Sequence, residues 1–312
     1  MNKYLITGAT GFVGSYLIKC LFDQDKNAFI VGISRNTKSF IINERYKHIY
    51  IDLNDKEKLI QLIDKNSFQY IIHLAAESSV GFSWQKPEIS FKNNVNIYLN
   101  LLEAIRITKI KTKILSIGSS ESYGKVDEAN IPLNETNLLN PISPYAVARV
   151  AQEMLSKVYI QGFGLEIILT RSFNHFGPGQ DNRFVIPSFI DQIRKRKESR
   201  SNEPIYTGDL SIVRDFLDVR DVVNAYYLLL NNGKSGEIYN VCSGVGFSLV
   251  DIVSYLSAEF HYPIFTKINP DFIRPNDNPI IIGDNSKIIE SVGWVMEYSL
   301  KSTLAEIVNS EI

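Results

Sequence analysis

The sequence predicts an α/β fold in which a doubly wound parallel sheet carries most of the chain and a smaller α/β lobe completes it. Three observations favour this fold. Short apolar runs rich in Ile, Val and Tyr alternate with helix-like segments through the first half of the chain. A glycine-rich turn joins the first apolar run to the first helical segment. After about Arg171 the alternation gives way to shorter segments separated by clusters of Gly, Pro and Asn.

The alternating segments define the elements of the predicted sheet. The predicted strands are Tyr4–Thr7, Ala28–Ile33, His48–Ile51, Tyr70–His73, Lys113–Ile117 and Leu165–Thr170. The predicted helices are Val13–Phe22, Lys56–Asp64, Ile89–Arg106 and Pro144–Tyr159. Strands that alternate with helices imply a parallel sheet covered on both faces. Two later segments, Phe216–Val219 and Gly236–Val241, are also strand-like, and we expect them to return to this sheet.

These elements divide the chain into two expected lobes. Residues 1–172, with a return segment at about 216–243, form the larger lobe. Residues 173–215 and 244–312 form the smaller lobe. At 312 residues and 45% hydrophobic content, the chain is long enough to bury a sizeable core.

Composition narrows the classes of function. The formal charge of −1 favours a small-molecule substrate over a polyanion such as nucleic acid. No apolar stretch approaches a membrane span, and the N-terminus enters an apolar strand without a leader pattern, so we expect a cytoplasmic protein. Cys20 and Cys242 lie far apart in apolar settings and are expected to be buried free thiols. The four histidines are scattered along the chain, and no metal site is predicted.

One basic run, Arg194–Lys197, follows an amphipathic helix that begins near Phe184. Two interpretations are open. A solvated helix end stabilised by the helix dipole is favoured, and contact with an anionic partner is the alternative.

A glycine triplet opens the first predicted helix. Gly8 permits a tight turn, Gly11 lets the backbone approach a pyrophosphate, and Gly14 lets helix and strand pack closely. A triplet alone also fits an ordinary structural turn. The strand before it, the helix after it and the strand that follows favour dinucleotide binding by a Rossmann unit. Three further residues of the turn are expected to line the cofactor, namely Thr10, Phe12 and Val13.

The end of the second predicted strand indicates which cofactor binds. A protein specific for NAD would usually have an acidic residue here, and this sequence has Ser34 and Arg35. Arg35 can stack on adenine and neutralise a 2′-phosphate while Ser34 donates a hydrogen bond, which favours NADP(H) over NAD(H). The alternative is an exposed loop arginine. Asp52 and Leu53, after the third strand, are expected to contact adenine.

A candidate general acid or base opens the helix predicted at Pro144–Tyr159. Ser143 is the expected N-cap, and Pro144 occupies the first helical position. Tyr145 and Arg149 are therefore one turn apart on one face, where the cation favours the phenolate form of the tyrosine. Tyr145 becomes usable for proton transfer, although an interface aromatic explains the same residue equally well.

A candidate hydroxyl partner follows the predicted strand Lys113–Ile117. Ser119 is expected at the carboxyl end of that strand, where sheets of this kind bind ligands. It can hydrogen-bond a reacting oxygen of the substrate while Tyr145 exchanges the proton. Taken alone, Ser119 is equally well explained as a turn former.

Taken together, these features resemble the extended short-chain dehydrogenase/reductase superfamily, or NAD-dependent epimerase/dehydratase family. Its marks are the glycine triplet, a strand-end Ser or Thr and a Tyr-x-x-x-Lys helix, and the resemblance covers essentially the whole chain. The chain is more narrowly similar to the GDP-6-deoxy-4-keto-mannose reductases that form GDP-D-rhamnose, and it is related to GDP-mannose 4,6-dehydratases. The similar segments are Ile117–Gly124, Arg171–Gln180, Arg214–Arg220, Tyr239–Gly244 and Arg274-Pro275.

The resemblance implies roles for individual residues. It implies a catalytic group of Ser119, Tyr145 and Arg149, with Glu121 where related dehydratases have their base. It implies a cofactor cleft that includes Leu74, Ala75, Ala76, Tyr145, Arg149 and Phe173. It makes the smaller lobe a substrate-binding lobe, in which Arg214 and Arg274 bind phosphates. The full set of implied substrate contacts is Ser119, Ser120, Glu121, Asn174, Arg183, Val185, Arg214 and Arg274.

Three functions are compatible with these residues. The leading one is NADPH-dependent reduction of the C4 ketone of a nucleotide-linked 4-keto-6-deoxyhexose, with GDP as the expected nucleotide. A 4,6-dehydratase or 4-epimerase with tightly bound cofactor is the second, because of Glu121; the Gly11–Gly14 turn lacks the Gly-Gln-Asp-Gly form familiar in GDP-mannose dehydratases. A non-catalytic dinucleotide-binding protein is the third, because Arg149 replaces the lysine of the superfamily with a bulkier planar fork.

We also expect a homodimer, in which the long helices Ile89–Arg106 and Pro144–Tyr159 pair across a two-fold axis as in members of the superfamily. A buried face within one chain explains the same apolar pattern equally well. The apolar residues on these helices are Ile97, Leu101, Ile105, Val150 and Met154.

Overall fold

A computed structural model describes residues 1–36, 41–273 and 278–310. These residues contain thirteen strands and ten α-helices. The strands are β1 (Asn2–Thr7), β2 (Ala28–Ser34), β3 (Tyr46–Tyr50), β4 (Tyr70–His73), β5 (Lys113–Ser119), β6 (Glu166–Ser172), β7 (Asn174–Phe176), β8 (Ile205–Thr207), β9 (Val213–Asp218), β10 (Ile238–Val241), β11 (Gly246–Ser248), β12 (Thr266–Ile268) and β13 (Ile280–Ile281). The helices are α1 (Phe12–Gln24), α2 (Lys56–Asn66), α3 (Val80–Gln85), α4 (Pro87–Thr108), α5 (Pro144–Phe163), α6 (Val185–Ser199), α7 (Val219–Asn232), α8 (Leu249–Phe260), α9 (Ser286–Val292) and α10 (Leu300–Asn309).

The larger sheet confirms the predicted doubly wound fold. Its seven strands have the order β10-β6-β5-β4-β1-β2-β3, and every neighbouring pair is parallel. Helices α1 and α7 bury apolar side chains against one face, and α2, α4 and α5 do so against the other. The strand order reverses between β1 and β4, and ligands bind at such a reversal, beyond the carboxyl ends of the strands.

Helix α5 begins where the sequence predicts. The Ser143 hydroxyl accepts a hydrogen bond of 3.1 Å from the Ala146 amide, and Pro144 occupies the first turn. The helix ends at Gly164, whose φ of +68° suits a residue without a side chain. The cap fixes the first turn of α5, and Tyr145 lies in that turn.

A second sheet corrects one strand expectation. Phe216 lies in β9, which pairs with β7, β11 and β13, so the expectation that Phe216–Val219 returns to the larger sheet is wrong. The reason lies in β7, which follows β6 after a single residue and is not part of the larger sheet. Strand β9 pairs with β7 and therefore lies in the second sheet. Gly236–Val241 does lead back, because β10 pairs with β6. The division of the chain into two lobes with the limits given above stays a prediction.

The long helices α4 and α5 pack against each other within the chain. Ile97, Leu101 and Ile105 are buried in the core beneath them, so the expectation that these three supply surface for a second copy is wrong. These three side chains face α2, α5 and the sheet, because a helix that covers a sheet must bury one stripe of apolar side chains. Met154 is exposed and Val150 is half-buried.

The basic run at the end of α6 contacts the ends of other helices. The Arg194 guanidinium donates to the carbonyl oxygen of Ile307 at 2.6 Å, at the end of α10. Lys197 donates to the carbonyl oxygen of Phe260 at 2.8 Å, at the end of α8. Cations placed at helix carboxyl ends satisfy orphan carbonyls and oppose the helix dipole, so these two residues join the end of α6 to the ends of α8 and α10.

Three negative findings hold for the described residues. No helix there is long and apolar enough to cross a membrane. No group of three or more His, Cys, Asp or Glu side chains there is arranged to hold a metal ion. Both cysteines are free, Cys242 buried and Cys20 half-buried.

Two helical glycines should respond in opposite ways to replacement by alanine. A Cβ atom on Gly14 would lie 2.6 Å from the Gly8 carbonyl oxygen, so Gly14→Ala should lower the free energy of unfolding by about 2 kcal/mol. A Cβ atom on Gly162 in α5 would have no atom within 4 Å, and Gly162→Ala should raise the free energy of unfolding by about 0.5 kcal/mol. Urea denaturation measures both changes. Equal effects in the two variants would contradict the close packing at Gly14.

Candidate active site

The glycine turn lies at the carboxyl end of β1 and touches the end of β4. Gly8 has φ of +70°, and a Cβ atom there would lie 2.9 Å from the Ala75 amide nitrogen. The Thr7 hydroxyl accepts a hydrogen bond of 3.1 Å from that same amide, which joins the two strand ends. Helix α1 then begins at Phe12, and its N-cap, Gly11, offers no side chain to the first amides. The residues present therefore fit a pyrophosphate group, which needs close backbone approach and free helix N–H groups.

The residues expected around the adenosine part of the cofactor meet at one edge of the turn. The Thr10 hydroxyl accepts a hydrogen bond of 3.2 Å from the Asn36 side chain. The Ser34 hydroxyl accepts one of 3.2 Å from the Asn36 amide, and Arg35 between them is exposed. A cation and a hydroxyl thus flank the end of β2, which suits a 2′-phosphate.

The remaining predicted cofactor residues lie after β3, after β4 and in the first turn of α1, with one exception. Asp52 is half-buried and Leu53 is buried at the end of β3. Residues 74–76 are half-buried beyond β4, while Val13 and Phe12 occupy the first turn of α1. Phe173 is the exception, because its ring is buried in a separate small cluster with Tyr123 and Cys242. Its contact with a cofactor stays a prediction.

The catalytic residues proposed from the sequence lie where β5 and α5 meet. Ser119 ends β5, and its hydroxyl accepts a hydrogen bond of 3.2 Å from the Glu121 amide. Ser119 and the buried Ser120 lead into a short 3₁₀ turn that packs against α5, and Glu121 is half-buried in that turn. Tyr145 is buried in the first turn of α5 and accepts a hydrogen bond of 3.0 Å from Arg149 Nε.

Arg149 is itself buried, and its hydrogen bonds go to uncharged groups. Beyond Tyr145, its Nη1 donates to the Ile117 carbonyl oxygen at 3.1 Å and to Gln152 Oε1 at 2.7 Å. Within the described part of the chain it makes no ion pair. Arg149 therefore presents a buried cation to the Tyr145 hydroxyl, with no carboxylate among its described hydrogen-bond partners.

Our reading of the sequence missed three residues next to this pair. Gln152 lies three residues after Arg149, and the i,i+3 spacing would have revealed it. His73 and Tyr226 come from β4 and α7, and no local pattern reveals their proximity. Both respond to the charge of Arg149.

These two groups are neutral near neutral pH. Burial, and then the Arg149 charge, lower the pKa of His73 to about 3. Burial raises the pKa of Tyr226, whose hydroxyl lies 2.7 Å from the Ser172 hydroxyl. His73 Nδ1 lies 2.9 Å from the Thr7 hydroxyl, and its Nε2 has no hydrogen-bond partner in the described residues. Arg149 is therefore charged among neutral neighbours on β4 and α7.

Residues of the second sheet approach the same strand ends. Asn174 begins β7, two residues beyond Ser172, which is paired in register with Ser119. Asn174 is in register with Phe216 of β9, two residues beyond Arg214. The structure thus brings Asn174 and Arg214 onto neighbouring strands close to the end of β5.

The other predicted substrate contacts are more peripheral. Val185 is half-buried at the start of α6, and Arg183 is exposed, 3.4 Å from Asp181. Arg274 lies outside the described residues. Asp215 was not predicted from the sequence. It is a buried carboxylate that accepts hydrogen bonds from the Ser243, Gly244 and Gly283 amides at 2.8, 2.9 and 3.3 Å.

Comparison with known proteins identifies the family and its relatives. A family model for GDP-mannose 4,6 dehydratase matches residues 5–307. The GDP-6-deoxy-D-mannose reductase of Pseudomonas aeruginosa is 30% identical over 308 residues, which cover 99% of this chain and 96% of that protein. The GDP-mannose 4,6-dehydratase of Yersinia enterocolitica is 29% identical and covers 100% of this chain and 94% of its own length.

Solved structures share the whole architecture. RMD from Pseudomonas aeruginosa, solved in complex with NADPH, has a TM-score of 0.85 at 28% identity and covers 99% of this chain and 98% of its own. The UDP-glucose 4-epimerase of Thermotoga maritima, solved with UDP-glucose, has a TM-score of 0.87 at 26% identity, with 98% and 97% covered. One fold therefore serves relatives that carry out different reactions on nucleotide sugars.

The buried imidazole of His73 should make the fold sensitive to mild acid. Its pKa falls from 6.5 to about 3 on folding, so the unfolded chain binds a proton that the folded chain does not. Stability from this group is complete above pH 6.5 and is lost as the pH falls from there towards 3. Between pH 7 and pH 5 the wild type should lose about 2 kcal/mol more than His73→Asn.

Urea denaturation at the two pH values measures this loss. His261→Asn, at an exposed helix end, is the matched control and should follow the wild type. If His73→Asn loses as much stability as the control, His73 does not stay neutral in the fold.

Proposed function

The chain belongs to the GDP-mannose 4,6 dehydratase family of extended short-chain dehydrogenase/reductase enzymes, and on that basis we propose that it reduces the C4 ketone of a GDP-linked 4-keto-6-deoxyhexose with NADPH. The observation that carries this proposal is the buried phenol of Tyr145, held 3.0 Å from Arg149 Nε beside the Ser119 strand end. The relative from Pseudomonas aeruginosa, a reductase by name, supports it.

The chemistry requires one hydride and one proton. NADPH, when bound, supplies the hydride to C4. Tyr145 transfers its phenolic proton to the C4 oxygen, so that the carbonyl becomes a secondary alcohol. Ser119 donates a hydrogen bond to the same oxygen, and the Arg149 charge stabilises the phenolate that remains.

The proposed cofactor contacts follow the turn described above. The first amides of α1 hold the pyrophosphate, and Ser34 and Arg35 hold a 2′-phosphate, with Asp52 and Leu53 at the adenine. NAD(H) lacks that phosphate and should bind less tightly, although several relatives were solved with it. On the substrate side, Arg214 and Asn174 are proposed to bind the diphosphate of the sugar nucleotide.

A 4,6-dehydratase is the second candidate, because one observation favours it. Glu121 is half-buried two residues after Ser119, and its carboxylate is a candidate base for the C5 proton. In that reaction the hydride returns to the sugar and no cofactor is consumed. The two functions therefore differ in their stoichiometry.

Turnover with defined substrates tests the proposal. With GDP-4-keto-6-deoxymannose, the protein should oxidise NADPH in a one-to-one ratio, followed by its absorbance. Tyr145→Phe should lower kcat by about a thousandfold and leave NADPH affinity within about twofold, because it removes the proton donor alone. Tyr206→Phe, on an exposed strand of the smaller lobe, is the matched control and should keep full activity.

Other outcomes assign other functions. A keto sugar formed from GDP-mannose without net NADPH consumption would identify a dehydratase. NADPH binding without turnover of either sugar nucleotide would identify a non-catalytic binding protein. Full activity in Tyr145→Phe would exclude this tyrosine from the mechanism.

We also propose that the enzyme forms a homodimer through α4 and α5. Phe91 and Val147 expose apolar surface in a groove between these helices. Glu88 and Lys92 flank the same groove, so that a two-fold axis through it can place Glu88 of one copy opposite Lys92 of the other. A second copy is therefore the occupant that fits.

Light scattering tests the assembly. The wild type should have twice the mass of one chain. Val147→Glu should give a monomer, because it introduces a charge in an apolar interface. Val295→Glu, at an exposed site far along the chain, is the control and should remain a dimer. A monomeric wild type would refute the proposal.

A further inference from the structure

Gln152 is buried one turn after Arg149 and joins it to strand β5. Its Oε1 accepts from Arg149 Nη1 at 2.7 Å. Its Nε2 donates to the Ser116 hydroxyl at 2.9 Å and to the Ile117 carbonyl oxygen at 3.0 Å. Both polar atoms of this amide are therefore paired, Oε1 with Arg149 and Nε2 with the strand that ends at Ser119.

This arrangement matters because a guanidinium is planar. When two acceptors hold Nη1, the plane of the group and the direction of Nε are fixed with it. Nε then lies 3.0 Å from Tyr145 Oη. Without Gln152, one buried N–H group would lose its acceptor, and the guanidinium could rotate away from Tyr145 to find another.

An ammonium group does not need its orientation fixed in this way. Lysine, the residue of the superfamily motif, presents a compact charge with three rotatable donors, so its orientation needs no fixed plane. Arginine at position 149 creates a geometric requirement that Ile117 and Gln152 together satisfy. An apolar residue at position 152 would fill the same space without satisfying it.

We propose that Gln152 is a positioning residue that holds the Arg149 guanidinium with Nε towards Tyr145, so that the two side chains together do the work of the family's lysine. This inference rests on the proposed function for its catalytic meaning. The orientation of Arg149 towards Tyr145 by Gln152 does not depend on which reaction the protein carries out.

The other ionisable groups around Tyr145 and Arg149 should not account for a difference between the variants. His73 on β4 and Tyr226 on α7 are neutral near neutral pH, as described above. Arg171 on β6 is paired with Glu153 at 3.0 Å. Glu121, on the turn packed against α5, is common to every variant compared below.

Ionisation of Tyr145 itself reports on the inference without substrate. The chain has 16 tyrosines, so the signal of Tyr145 is the tyrosinate absorbance of each protein minus that of its own Tyr145→Phe variant. Gln152→Met keeps the length of the side chain and removes the amide. It should move the midpoint of the Tyr145 signal upward by about one pH unit, because Arg149 no longer points at the phenol.

Ser156→Ala is the matched control. Ser156 is buried in the next turn of α5 and bonds the Tyr98 hydroxyl and the Gln152 carbonyl oxygen without touching Arg149. Its midpoint should equal that of the wild type. An unchanged midpoint in Gln152→Met, with circular dichroism like the control, would overturn the proposal.

A second background separates positioning from general packing. In Arg149→Lys, the change Gln152→Met should leave the midpoint unchanged, because an ammonium does not use the amide. An equal shift in both backgrounds would mean that Gln152 does not act through Arg149. Should Gln152→Met fail to fold, Gln152→Glu replaces it. Its carboxylate neutralises Arg149 and should move the Tyr145 midpoint upward in the same way. An unchanged midpoint in Gln152→Glu would again overturn the proposal.

Kinetics give an independent measurement. Gln152→Met should lower kcat about tenfold and change KM for the sugar nucleotide less than twofold, because the Gln152 amide is buried and its contacts are with Arg149 and β5. If the wild type does not consume NADPH, the proposed function fails while the tyrosinate comparison still decides the role of Gln152.

Discussion

The buried guanidinium of Arg149 imposes the constraint on which the candidate active site depends. A charge removed from water is costly unless other groups replace its hydration. The chain handles two such cations differently. Arg171 is paired with both carboxylate oxygens of Glu153, at 3.0 and 3.1 Å. Arg149 is held by a phenol, a carbonyl and an amide, so its charge is not cancelled. The first arrangement suits a structural tie, and the second suits stabilisation of negative charge that develops during a reaction.

The two arrangements cooperate because both are built on α5. Glu153 follows Gln152 directly, so the ion pair with β6 and the amide contact with β5 fix consecutive residues of one helix to two neighbouring strands. The hydroxyls of Ser156 and Tyr98, 2.6 Å apart, tie the next turn to α4. Tyr145 therefore projects from a helix fastened on three sides, which limits its motion relative to the end of β5. Proton transfer depends on such fixed geometry.

The sequence was sufficient for those parts of the molecule that have local signals. Alternating apolar runs predicted the larger sheet, and Ser143 with Pro144 predicted where α5 begins. The glycine triplet likewise predicted the turn after β1, where Gly8 has φ of +70°. Contacts between distant segments gave no such signal. His73 and Tyr226 meet Arg149 only once β4, α5 and α7 are packed, and β9 joins the second sheet because of partners that the sequence does not reveal.

Strand β9 carries a buried carboxylate, Asp215, that is also held by hydrogen bonds to uncharged groups. Both carboxylate oxygens of Asp215 accept hydrogen bonds from backbone amides, and the Ser243 hydroxyl adds a further one at 2.6 Å. Burial still raises the pKa of this carboxyl, so the amides offset its desolvation only in part. These hydrogen bonds join the segment after β10 and the segment after β13 to β9, the strand that also contains Arg214. Strand β9, which carries Arg214, and helix α5, which carries Tyr145, are thus each held by contacts already present in the fold, and a preformed arrangement of this kind lowers the cost of binding a ligand.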